Sequence, residues 1–178
     1  MRNALLLLVT SVAFAQAPPG PLTNAALNPS GTFAAMQDSV GDVWLFNSAK
    51  STKTLLLSAQ SYPVTLQWAA TGDFLLVNRL NALTIFQAPS PKIRFTQQTT
   101  NTYPQISPDA RYLTTIRNHN LWLTEFPQKH FKPLTSNSPN TLNGEPDPVF
   151  AHEFKTGPHY WWAPDSSAIA YLEKHGEV

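Results

Sequence analysis

The sequence predicts an all-β fold: an incomplete β-propeller of three four-stranded blades plus the start of a fourth, with a short helical insertion before blade four. Three observations point there. Four segments repeat one pattern of apolar strand end, Pro/Ser/Asp/Gly turn and apolar strand: Leu27 to Phe46, Leu66 to Phe86, Ile106 to Phe126 and Trp162 to Val178. With Pro29, Ala70, Pro108 and Pro164 taken as equivalent, the repeats are offset by 41, 38 and 56 residues. A period near forty with short strands and polar turns is that of propeller blades, since four strands of about five residues and four connections of about four need that length. Finally, no window beyond the N-terminus carries a sustained helical stripe. The recurring turn also disfavours a plain β-sandwich.

Composition narrows the function classes. The 178 residues include 12 Lys plus Arg, 11 Asp plus Glu, and no Cys, for a formal charge of +1. Charged residues make up 13%, about half the usual share, while aromatics reach 11%, which argues against disorder. Balanced charge removes the electrostatic case for nucleic-acid binding. The absence of cysteine excludes disulfide scaffolds, thiol catalysis and cysteine zinc sites together.

In chain order, residues 1–15 read as a signal peptide. Met1-Arg2-Asn3 is a short basic opening, Ala4 to Ala15 is almost wholly apolar, and Ala13 and Ala15 fit cleavage before Gln16. The apolar run reaches only about 18 Å as a helix, short of a hydrocarbon core of about 30 Å, so no stable membrane anchor is expected. The expectation is export to the periplasm or medium, leaving residues 16–178 as a partial propeller with no net formal charge.

The blades are expected at about 20–60, 61–100, 101–140 and 160–178. Pro29, Pro108 and Pro164 pre-set φ for their turns, and neighbouring Ser and Asp side chains can satisfy backbone donors. Phe33, Phe74, Tyr112 and Ile169 then start the next strands. Gly41-Asp42, Leu80-Asn81 and Asn118-His119-Asn120 supply hairpin turns before Leu45-Phe46, Ile85-Phe86 and Leu121 to Leu123. Each blade has two apolar faces and needs neighbours, so exposed blade edges offer a surface for self-association.

The long third offset marks a rim insertion over residues 136–159, carrying Glu145, Asp147, His152 and Glu153. Pro146 and Pro148 precede a stretch that can form a short helix, with Asp147 placed to cap it. Val149, Phe150 and Phe154 would pin that helix on the scaffold, leaving His152 or Glu153 to face a cavity. A solvated acidic loop with packing aromatics is the alternative.

Here the residues resemble a known family. The run Asn143-Gly144-Glu145-Pro146-Asp147-Pro148-Val149-Phe150-Ala151-His152-Glu153-Phe154 is followed by His159-Tyr160-Trp161-Trp162-Ala163-Pro164-Asp165-Ser166 and Ile169-Ala170-Tyr171-Leu172. These, with Ile106 to Tyr112 and His119-Asn120-Leu121-Trp122, resemble the dipeptidyl peptidase IV family, strongly over Tyr103 to Leu172 and more weakly over residues 20–100. The resemblance implies exported serine exopeptidases that join an N-terminal propeller to a C-terminal α/β-hydrolase domain and remove dipeptides, usually after Pro or Ala. It also implies that two glutamates of an E-E-E helix hold the substrate's α-ammonium group. By position these fall on His152 and Glu153. Glu153 matches; His152 keeps an acceptor but loses a full negative charge. Ala151 and Pro148 also depart from the pattern, and the family's substrate-binding Arg has no clear match at Arg79 or Arg117.

Catalytic machinery is not expected within the chain. There is no Gly-x-Ser-x-Gly elbow, and His119, His130, His159 and His175 are scattered. No His-Glu-x-x-His motif supports a metal, and no Gly-rich loop supports a phosphate cofactor. The expectation is thus a non-catalytic propeller fragment of an exported dipeptidyl peptidase IV-like enzyme, with peptide N-termini as partners of the full-length parent. The alternative is a self-standing periplasmic binding or interaction protein of propeller type.

Overall fold

A computed structural model describes residues 22–98, 102–136, 140–146, 149, 151, 153 and 157–175. Three four-stranded antiparallel meanders follow one another. The first holds β1 (Leu22–Leu27), β2 (Phe33–Asp38), β3 (Val43–Asn47) and β4 (Thr52–Leu57). The second holds β5 (Thr65–Trp68), β6 (Phe74–Arg79), β7 (Ala82–Gln87) and β8 (Lys92–Gln98). The third holds β9 (Thr102–Ile106), β10 (Tyr112–Arg117), β11 (Asn120–Glu125) and β12 (His130–Pro133). Four short strands complete the described chain: β13 (Thr141–Asn143), β14 (Tyr160–Trp162), β15 (Ile169–Tyr171) and β16 (Glu173–His175). This is a β-propeller whose described sheets do not close into a ring.

The period-2 alternation of strand side chains explains why each sheet needs two neighbours. On β6, Leu75 and Val77 join Ala35 and Val43 in a core between the first and second sheets. Leu76, between them in sequence, faces the other way, into a core with Ile106 and Leu113 of the third sheet. Strand β7 splits likewise, with Phe86 in the first core and Leu83 and Ile85 in the second. A third core holds Ile116, Leu121 and Tyr160 between the third sheet and the last hairpin. Fully burying such side chains is worth about 1.5–3 kcal/mol each.

The turns opening each repeat share one geometry. Gly31, Gly72, Ala110 and Ser166 all take positive φ, between 60° and 78°, at the same place in the repeat. Each turn also bonds to the next. Asn28 Nδ2 donates to the Gly72 carbonyl at 3.3 Å, Thr71 N to the Pro108 carbonyl at 3.3 Å, and Asp109 N to Ser166 Oγ at 3.0 Å. Side chains of the innermost strands add further ties: Gln67 Oε1 accepts from Ile106 N at 3.2 Å, and Trp68 Nε1 donates to the Ala26 carbonyl at 3.0 Å.

The segment expected as rim loop holds a strand instead. Thr141, Leu142 and Asn143 pair in register with His175, Lys174 and Glu173, while Tyr160 to Trp162 pair with Tyr171 to Ile169. Between the two ladders, Leu172 N donates to the His159 carbonyl and its carbonyl accepts from Gly144 N, both at 2.9 Å. Strands β13 and β14 are therefore two halves of one interrupted strand lying along the run from Ile169 to His175. The excursion over residues 145–158 leaves from the middle of that strand.

Candidate functional site

The excursion is closed at its base. His159 N donates to the Gly144 carbonyl at 2.8 Å, so its two legs meet across one hydrogen bond. Gly144 has φ 73°, and a Cβ there would lie 3.1 Å from Leu121 Cδ2 and 3.2 Å from Tyr160 Cδ1. Only glycine combines that backbone with so close an approach to both neighbours.

Each leg is tied to the third sheet. On the first, Asn143 N and Nδ2 both donate to the His119 carbonyl, each at 3.0 Å, and Asn143 Nδ2 also lies 3.3 Å from Asn120 Oδ1. His119 Nδ1 stands 3.0 Å from Glu145 Oε2. On the second, Tyr160 is fully buried, and its hydroxyl meets the carbonyls of Tyr103 and of Thr114, the latter at 3.1 Å. The ladder between β9 and β10 is irregular beside those carbonyls, with Tyr103 at φ 52° and Pro104 lacking an N–H. A side chain from the next sheet thus serves carbonyls beside a bulge. Burial pushes the Tyr160 phenol well above its ordinary pKa, so it remains a donor.

Upon this base Val149, Ala151 and Glu153 are helical, and Glu153 is exposed. His152, Asp147, Phe150 and Phe154, expected as its companion ligand and scaffold, lie outside the described residues. The structure brings Glu145, at the start of the excursion, together with His119 at the tip of the β10–β11 hairpin. Sequence reasoning recognised both residues but not their pairing, because nothing local connects positions 26 apart. It also missed Tyr160, which read only as part of an aromatic strand.

An open cleft of about 390 Å³ lies between β11 and the last hairpin, lined among others by Leu121, Leu123, Leu134, Trp162 and Tyr171. Among the described residues no group of three or more His, Asp or Glu is arranged to hold a metal ion, and no helix is long and apolar enough to cross a membrane.

Comparison with known proteins agrees with this architecture. Residues 37–175 match the family model described as the dipeptidyl peptidase IV (DPP IV) N-terminal region. The chain is similar in fold to dipeptidyl peptidase 4 of Porphyromonas gingivalis, with TM-score 0.60 and 19% identity, over 93% of this chain and 27% of that one. It is also similar to the β-propeller domain of Cps50 (Swd1) from Myceliophteria thermophila, with TM-score 0.59 and 12% identity, over 86% of this chain and 49% of that one. The chain therefore spans about a quarter of the peptidase and about half of the second structure's chain.

Proposed function

Because the chain belongs to the dipeptidyl peptidase IV N-terminal region family, we propose that it is the non-catalytic propeller part of an exported serine exopeptidase. In this reading residues 1–15 direct export, and the excursion binds the free N-terminus of a peptide. An α/β-hydrolase region, for which residues 1–178 carry no nucleophile elbow, cleaves the peptide bond.

The observation that carries the reading is an exposed Glu153 on a helical stretch whose base is fastened to two sheets. A carboxylate accepts charge-assisted hydrogen bonds from an ammonium group, which acetylated or internal peptide nitrogens cannot supply. One such carboxylate, preceded in sequence by His152 rather than by a second carboxylate, attracts an amine less strongly than a pair would. The excursion thus gates by end-group chemistry, selecting peptides by their free amine, and cleavage follows elsewhere.

The test has two parts. The 178-residue chain should release no dipeptide from an X-Pro chromogenic substrate; turnover abolished by a serine-directed inhibitor would overturn the non-catalytic assignment. By calorimetry, Ala-Pro-amide should bind in preference to its N-acetylated form, and Glu153→Gln should remove that preference. Equal binding of both forms would sink the amine reading.

A second reading, a self-standing periplasmic interaction protein, is favoured by one feature. Trp161 and Leu172 of the last hairpin are more than half exposed. Discrete concentration-dependent oligomers in sedimentation would support that alternative.

A further inference from the structure

We propose that His119 is a positioning residue that clamps the first leg of the excursion and thereby sets where the Glu153 carboxylate stands. The proposal rests on the reading of that carboxylate as an amine ligand. His119 is an awkward residue in a demanding place. Asn118 and His119 form the two-residue connection between β10 and β11, with φ of 49° and 61°. Such a turn favours Asn-Gly, because both residues must adopt positive φ and glycine does so without steric cost. Histidine bears that cost, so turn formation alone does not account for it.

What lies opposite does account for it. The His119 carbonyl accepts two hydrogen bonds from Asn143, one from its backbone and one from its side chain. The His119 ring reaches Glu145. One residue thus grips the chain on both sides of Gly144, where it leaves the sheet. A glycine at position 119 would retain the first grip, which needs only the backbone carbonyl of residue 119, and lose the second. The second is the grip that extends into the excursion. Since an ionised carboxylate only accepts, Nδ1 carries the proton in this contact, and the ring orientation is fixed by its partner. The other leg is fastened separately, through His159 and the buried Tyr160. His119 therefore governs one leg without supporting the whole hairpin.

The separation of the two grips makes the idea testable on the 178-residue chain. Hydrogen exchange would be followed at the amides of Val149, Ala151 and Glu153, alongside a denaturant midpoint and the affinity for Ala-Pro-amide. His119→Gly should leave the midpoint unchanged or raised, because it creates an Asn-Gly turn. The three amides should nevertheless exchange five- to tenfold faster, and the affinity should fall three- to tenfold. His119→Asn tolerates positive φ and offers an amide donor close to the place of Nδ1, so both readouts should return to within twofold of the parent. Glu145→Gln keeps the turn intact and should loosen the same amides by a smaller factor.

Unchanged exchange in His119→Gly, or equal loosening in His119→Asn, would overturn the clamp. Exchange behaving as expected while Ala-Pro-amide binds neither parent nor variants would leave the clamp standing and overturn the amine reading instead.

Discussion

Asp109 sits at the turn that opens the third repeat, and its carboxylate is held by donors on several sides. Its Oδ1 accepts from Ser107 Oγ at 2.7 Å and from Arg111 N at 3.1 Å, while its own N–H reaches Ser166 of the next repeat. Partial burial raises its pKa, but the hydroxyls of Ser107 and Ser166, the Arg111 backbone and the Arg111 charge outweigh it and hold the carboxyl below its ordinary value. Asp165, the equivalent residue of the last repeat, is held low by the hydroxyl and N–H of Ser167. A carboxylate whose pKa is depressed on folding stabilises the native state above the ordinary carboxylate pKa. That contribution is lost as pH falls through the lowered folded value. Asp109→Asn should therefore be less stable than the parent at pH 7, and the gap between them should narrow as pH is taken down through the carboxylate range. Denaturant midpoints at several pH values measure this, and a gap independent of pH would contradict it. These turns were legible in the sequence because their chemistry is local: Pro-Asp and Asn-Pro carry the dihedral preset and the side-chain acceptor within four residues.

Among the elements, the three meanders were equally legible, because their strands pair with sequence neighbours and their hairpin turns are marked by Gly41-Asp42, Leu80-Asn81 and Asn118-His119. Strand β13 was not. Thr141 to Asn143 is too short to show a period, and its partners lie at Glu173 to His175, beyond the excursion and the hairpin. The resemblance located Glu153 but could not disclose that its segment leaves from within a strand. The elements flanking the excursion depend on Tyr160, whose hydroxyl joins β14 to the bulged edge of the third sheet. Tyr160→Phe leaves the buried Thr114 carbonyl and the half-buried Tyr103 carbonyl without that donor and should cost about 1–3 kcal/mol in denaturant unfolding. The slope with denaturant should stay unchanged, since the area exposed on unfolding is the same. A loss below about 0.5 kcal/mol would mean that the carbonyls find other donors.

Taken as a molecule, the chain is a row of sheets joined face to face, each core shared by two neighbours. Stability in such arrays is a sum of sheet and nearest-neighbour terms. The second sheet contributes to two cores, with buried residues on both faces of β6 and β7. The last hairpin contributes to one, and its outer residues are exposed. Native-state hydrogen exchange should accordingly show the strongest protection in β6, β7 and β10, falling towards β4 and the β15–β16 run. Uniform protection across all strands would instead indicate one indivisible cooperative unit.

The hydrogen bonds that link one opening turn to the next have a direction. In all three, the donor belongs to the earlier turn and the acceptor to the later one: Asn28 to Gly72, Thr71 to Pro108, and Asp109 to Ser166. A chain threading N-terminus first from a ribosome or a translocation pore thus carries each donor out before its acceptor exists. At roughly 5–20 residues per second on a ribosome, the wait between successive repeats is about 2–11 s, far longer than a hairpin needs to form. Each opening turn that has formed thus holds out a donor, a berth for the turn that follows it in the chain.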